Sequence, residues 1–297
     1  AFVTLGSMRF KPRGGGAMAD EDFVDISDDA AIEDGSSLPT FGRSVLDAFN
    51  PHIESKRKNS TPWAGFTAQF VLIAIAAVLY FGVRMVTKEA ESAAFAHAED
   101  LLRFERRAGL DIESWAQELI IGNEAIVTFF NWVYIWLHWP MVLGAFFWLY
   151  RYNKRGFVLF RNAMILSGAI GLVFFVTYPV APPRFLDGFS DTVSDLSTSY
   201  KYLQPPSIVN KFAALPSLHV GWNLLVGVVL FQAIRQSPIR FLPLLSPVLM
   251  TMAVVFTANH FVVDALMGAA IALVALYGAK LMTDRTEKRA GERVANT

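Results

Sequence analysis

Phe261-Val262-Val263-Asp264-Ala265-Leu266-Met267-Gly268-Ala269-Ala270-Ile271-Ala272-Leu273-Val274-Ala275-Leu276-Tyr277-Gly278-Ala279-Lys280-Leu281 runs for 21 residues with one acid near its start and one base near its end. As a helix, a stretch of that length reaches across the hydrocarbon of a bilayer, about 30 Å thick. It is apolar on every face, so it reads as a membrane span rather than as one side of a soluble amphipathic helix.

Outward from it, the same reading gives five more spans, at about Phe66–Met85, Ala125–Tyr150, Phe157–Tyr178, Leu218–Ile234 and Phe241–Ala258. The expected fold is all-α: a polytopic membrane protein with six transmembrane helices in a bundle. Breaking or merging neighbouring spans would make the count five or seven. Composition agrees with lipid as solvent, since 54% of the 297 residues are hydrophobic and 18% charged, against about a quarter charged in soluble domains.

The basic residues order the spans. Lys56-Arg57-Lys58 precede the first, Arg151, Lys154 and Arg155 follow the second, Arg235 and Arg240 follow the fourth, and Lys280, Arg285, Lys288, Arg289 and Arg293 end the sixth. With six spans all four clusters fall on one side, which puts both termini in the cytoplasm. Residues 1–60, Gly-rich at Gly14-Gly15-Gly16 and acidic from Asp20 to Asp34, read as a disordered cytoplasmic tail. Residues 61–283 form the membrane domain and 284–297 a basic cytoplasmic tail. From Thr87 to Gly122 apolar residues alternate with charges, as in helices lying in the interface of the first outer loop. Pro179 to Pro216, rich in Pro, Ser and Asp, is a long non-cytoplasmic loop. A plasma or inner membrane is the expected location.

Some chemistry is excluded. The chain has no cysteine, hence no disulfide, iron–sulfur cluster or thiol nucleophile. Its formal net charge of zero argues against a nucleic-acid partner. Protein partners leave no mark in the sequence.

Two polar clusters interrupt the apolar pattern at the outer boundary. Pro216-Ser217-Leu218-His219 lies where the long loop enters span four, and Asn259-His260-Phe261-Val262-Val263-Asp264 lies between spans five and six. On a helix His260 and Asp264, four apart, would share a face, with the carboxylate accepting from one ring nitrogen and leaving the other as nucleophile or base. His219 would then serve as acid toward a leaving group. A lone boundary histidine is ordinarily an interfacial residue bonded to backbone or water. A pair with an acid at the start of a span, where charge is costly, points to function instead.

Two other functional readings stand beside this one. His219, His260 and Asp264 are admissible zinc ligands, but they lack the one-helix spacing of metalloproteases, so no metal is expected. In a transporter the same groups would bind or relay protons near the midplane, between inverted repeats. These groups lie at one boundary and no repeat shows.

Pro216-Ser217-Leu218-His219 and His260-x-x-x-Asp264 with Gly268 resemble the second and third motifs of the type 2 phosphatidic acid phosphatase superfamily. The likeness extends over roughly Phe66 to Leu281. It implies that His260 attacks phosphorus to form a phosphohistidine, that Asp264 orients it and that His219 protonates the departing oxygen, with no cofactor. The superfamily's first motif, a Lys followed by Arg-Pro, has no counterpart, and Val254 stands where an arginine is usual in the third. With Tyr178-Pro179-Val180-Ala181-Pro182-Pro183-Arg184, these departures resemble the branch of inositol phosphorylceramide and sphingomyelin synthases. The resemblance thus implies a lipid phosphotransferase that moves the headgroup of a phospholipid such as phosphatidylinositol. A lipid phosphatase acting on phosphatidic acid or polyprenyl phosphates is the alternative.

Candidate phosphate-binding cations are Arg184, Lys201 and Lys211, with Ser217 beside His219. Arg184 leads, because Pro182-Pro183 holds its backbone extended and a guanidinium matches phosphate oxygens bidentately. A snorkelling arginine is its plainer reading. His138, near the middle of span two, either lines a substrate path or is a neutral histidine bonded across helices. Trp132, Trp136 and Trp139 read as packing and belt residues.

Overall fold

The computed structural model describes residues 90–193, 211–234 and 237–295. The expected first span and the N-terminal tail lie outside them, as does Lys201. Among the described residues the chain is helical, with one isolated parallel bridge between Val180 and Ala213 and no strand.

Seven helices follow in order: α1 (Glu91–Ala108), α2 (Glu113–Ile121), α3 (Glu124–Tyr152), α4 (Lys154–Thr177), α5 (Leu218–Ala233), α6 (Pro238–Phe256, its first turns 3-10) and α7 (Val262–Ala295). Four of them, α3, α4, α6 and α7, are long and apolar enough to cross a membrane, which marks the chain as a membrane protein. Helix α5 is equally apolar but has 16 residues, about 24 Å at 1.5 Å per residue. Large apolar side chains such as Phe147, Val173, Val248 and Val274 face outward, as lipid-facing residues do.

Local chemistry starts the helices where they start. Asn123 caps α3 by accepting from the Ala125 and Ile126 amides at 3.1 and 3.3 Å. Asn153 caps α4 through Gly156 at 2.8 Å, and Ser217 caps α5 through Val220 at 3.5 Å. Helix α3 contains a π turn at Val133–Leu137, immediately before His138. Such turns re-aim the side chains on either side of them.

One apolar cluster joins α2, the first half of α3, α6 and the start of α7 through Val127, Phe130, Met250 and Ala265. A second joins the rest of α3 to α4, α5 and α7 through Leu149, Phe160, Leu225 and Ala272. A third ties α1 to both ends of the long loop through Ala98, Val180, Leu215 and Phe261. The start and finish of that loop are drawn together by Val180 N–H to Phe212 O (3.0 Å) and Ala214 N–H to Val180 O (3.2 Å), while Ala181 N–H reaches Ala94 O on α1. Helices α5 and α7 cross at two glycines. A Cβ on Gly221 would stand 2.6 Å from the Gly268 carbonyl, and one on Gly268 would overlap Ser217.

Candidate active site

Helix α6 ends at Phe256, and the chain turns through Ala258, whose φ of +51° is in the left-handed region. Both following amides, Asn259 N–H and His260 N–H, fold back onto Val254 O at 2.9 and 3.2 Å. Helix α7 then begins at Val262. His260 therefore stands in the turn ahead of the helix and not on its face as expected, yet its ring still lies beside Asp264. Val254 is fully buried in the apolar core. Its carbonyl shapes the histidine turn.

The imidazole is held by two groups on one side. Nδ1 is 2.8 Å from the Ala214 carbonyl, in the loop's returning end, and 3.4 Å from Asp264 Oδ2. A carbonyl only accepts, so Nδ1 carries a proton, and in the neutral ring the lone pair is therefore on Nε2. Tautomer control, expected of Asp264, belongs first to Ala214. Asp264 is fully buried, and the same Oδ2 also accepts from Phe261 N–H at 2.9 Å.

The first turn of α7 is anchored further by two acids from outside it. Glu113 Oε1 accepts from Val262 N–H at 2.6 Å and Glu105 Oε1 from Val263 N–H at 2.7 Å. Three consecutive amides, otherwise orphaned at a helix start, thus each meet a carboxylate oxygen. In sequence these acids are two of the charges that alternate with apolar residues from Thr87 to Gly122. Nothing in their spacing marks them as partners of residues 149 and 158 positions away.

His219, in the first turn of α5, faces His260 with ring centroids 5.9 Å apart. His138 lies on its other side at 4.6 Å, and Tyr134 from the π turn packs on it at 4.7 Å. His138 is buried, with Nδ1 2.9 Å from the Asn223 side-chain amide. Asn223 also donates to His219 O at 2.8 Å and accepts from Ser246 Oγ at 2.6 Å. His219 thus lies within ring contact of both His260 in the α6–α7 turn and the buried His138. Asn223, four residues after His219, could have been found by that helical spacing.

Arg184 is buried. Its Nη1 donates to Asn259 Oδ1 at 2.6 Å, its backbone N–H to Ala258 O at 2.9 Å, and Asp191 Oδ1 lies 3.8 Å from the same Nη1. The loop after it is fastened over α2 and α3: Gln117 exchanges two hydrogen bonds with Ser190, and Asn131 donates to Thr192 O at 2.9 Å. Of the other candidates, Ser217 is buried as the α5 cap and Lys211 is exposed in the turn before Phe212. Among the described residues no group of three or more His, Asp or Glu is arranged to hold a metal ion.

The described site is thus a pair of facing histidines at two helix ends, His260 hydrogen-bonded to Ala214 O, with the buried Arg184 bonded to the neighbouring Asn259. The family model of the PAP2 superfamily matches residues 99–278, a stretch that takes in every described residue of this site. The chain belongs to that superfamily, whose members are generally phosphatases or phosphotransferases of lipid phosphates, and is accordingly placed among enzymes of that kind. No curated protein and no solved structure matches it.

Proposed function

We propose that the protein is a histidine-dependent lipid phosphotransferase that moves a phospholipid headgroup to an alcohol through a phosphohistidine. The carrying observation is His260, whose Nδ1 is engaged by Ala214 O and Asp264 while its ring faces His219. In the first step Nε2 of His260 attacks phosphorus, the bond from phosphorus to the lipid alcohol breaks, and His219 gives its proton to the departing oxygen. In the second step His219 takes the proton of the acceptor hydroxyl, whose oxygen displaces His260 and breaks the N–P bond. Asp264 balances the imidazolium charge that develops on His260. Arg184, steered by Asn259, supplies the fixed cation for the phosphoryl oxygens.

A diester donor fits this site. A phosphodiester carries one negative charge and a monoester dianion two, so transfer from a diester needs fewer fixed cations. At the third-motif position a valine replaces the arginine. The active site faces the non-cytoplasmic side in the six-span arrangement, with α1 and α2 in the interface, and the donor enters laterally from the leaflet there.

The test is product analysis of purified protein in detergent with a labelled phospholipid donor such as phosphatidylinositol, with and without alcohol acceptors. New lipid product that depends on the acceptor is expected. Release of inorganic phosphate from phosphatidic acid or a polyprenyl phosphate, faster than diester cleavage and indifferent to acceptors, would identify a lipid phosphatase instead.

A further inference from the structure

We propose that Glu105 and Glu113 are a proton-sharing pair that positions His260, holding the first turn of α7 in the arrangement required for attack. The inference rests on His260 as the nucleophile, but its structural half stands apart from catalysis. Both side chains are 0% exposed. Each spends Oε1 on one amide of the α7 start, Val262 for Glu113 and Val263 for Glu105. The other oxygen of each, Oε2, is buried without a hydrogen-bond partner when both groups are carboxylates. The two side chains lie within hydrogen-bonding reach of each other, and a single proton between them makes the missing donor.

The surroundings favour that proton. Asp264 approaches from α7 as a third carboxylate, and Asp111, between α1 and α2, is offset by Arg106 at 3.0 Å. Burial, the largest cause, followed by the charges of Glu113 and Asp264, pushes Glu105 up from 4.5 to about 9, against the lowering pull of the Val263 amide. Burial also raises Glu113. With the proton in place the pair carries one negative charge, which the N-terminal end of α7 accommodates. Without it two like charges are forced apart, and with them the amides of Val262 and Val263. His260 is two residues from the first of these.

Between 4.5 and about 9 the folded chain binds the extra proton and the unfolded chain does not. The pair's contribution to stability is therefore complete at low pH and lost as pH rises through about 9.

Glu105→Gln separates this role from simple packing. Its amide oxygen still accepts from Val263 and its NH2 donates permanently to Glu113, so the variant should retain turnover at neutral pH. It should also lose the alkaline limb that the wild type shows near pH 9. Glu105→Leu and Glu113→Leu, which abandon the amides, should lower kcat about a hundredfold with little change in KM, the scale of a 1 Å misplacement. Melting temperature in detergent should fall more steeply between pH 7 and pH 9.5 for the wild type than for Glu105→Gln. That measurement needs no substrate, so an inactive wild type would reject the proposed reaction and leave the pair to be judged by melting alone. Equal melting slopes in the two proteins would overturn the proposal. So would a Glu105→Gln variant as slow as Glu105→Leu, or one that keeps the alkaline limb.

Discussion

Arg184 donates to Asn259 at 2.6 Å across 75 positions of sequence, and its own backbone N–H binds the carbonyl of Ala258, the residue that precedes that asparagine. One residue of the long loop thus grips the histidine turn twice. If its guanidinium also meets the phosphoryl oxygens, Arg184→Ala should lower kcat/KM by about 10²–10³, the usual cost of removing a donor aimed at transition-state charge. Arg184→Lys should recover only part, since an ammonium cannot bind phosphate and Asn259 as a planar fork does. Steady-state kinetics on the lipid donor in mixed micelles decides it. Full activity in the alanine variant would remove Arg184 from substrate contact.

The crossing of α5 and α7 gives a prediction about stability. Gly268 lies against Ser217, the cap of the helix that carries His219, and Gly221 lies against the Gly268 carbonyl. A methyl at either place meets backbone, which cannot swing aside as a side chain can. Gly268→Ala and Gly221→Ala should each destabilise by about 3 kcal/mol, the upper range for overpacking. Gly144, which has nothing within 4 Å of its would-be Cβ, is the control, and Gly144→Ala should leave the melting temperature near that of the wild type.

Orientation can be tested on exposed residues of this naturally cysteine-free chain. Asp187, beyond Arg184, and Lys154, the first residue of α4, are both exposed. Asp187→Cys should react with an impermeant maleimide from the non-cytoplasmic side and Lys154→Cys only after permeabilisation. Reaction of both from one side would reject the arrangement in which the long loop is external.

The helices were legible because an apolar run of twenty residues has few other ways to satisfy its backbone in lipid. The Ala125–Tyr150 and Phe157–Tyr178 expectations differ from α3 and α4 by no more than three residues at either end. The site was legible where side chains carry chemistry: His219, His260, Asp264 and Arg184 all stand around the α6–α7 turn. It was not legible where the main chain does the holding. Ala214 contributes only a carbonyl and Val254 only a bend, so neither residue type announces its part. Glu105 and Glu113 look like surface acids in a charged stretch, and only folding shows their oxygens on Val262 and Val263. The six-span count rests on Phe66–Met85, outside the described residues, and on α5, which is shorter than a usual span.

The division of labour around His260 gives the last prediction. Ala214 O and Asp264 Oδ2 both approach Nδ1, at 2.8 and 3.4 Å, but only Asp264 can balance the imidazolium that forms when Nε2 bonds to phosphorus. In a hydrolytic triad, exchanging the aspartate for asparagine costs about 10⁴ because the tautomer is lost. Here the carbonyl keeps the tautomer. An asparagine can also still cap Phe261, leaving only the loss of charge and an amide placed against an N–H. Asp264→Asn should therefore lower kcat by about 10², milder than in the triad, whereas His260→Ala should abolish turnover. His219→Ala should spare donors whose leaving group needs no proton, such as a nitrophenyl phosphodiester, far more than it spares the natural lipid. Rapid quenching of a donor labelled at phosphorus should trap an acid-labile, base-stable phosphoprotein in the wild type and in Asp264→Asn, and none in His260→Ala. A phosphoprotein that persists in His260→Ala would place the nucleophile elsewhere. A 10⁴-fold loss in Asp264→Asn would show that Ala214 does not hold the proton on Nδ1.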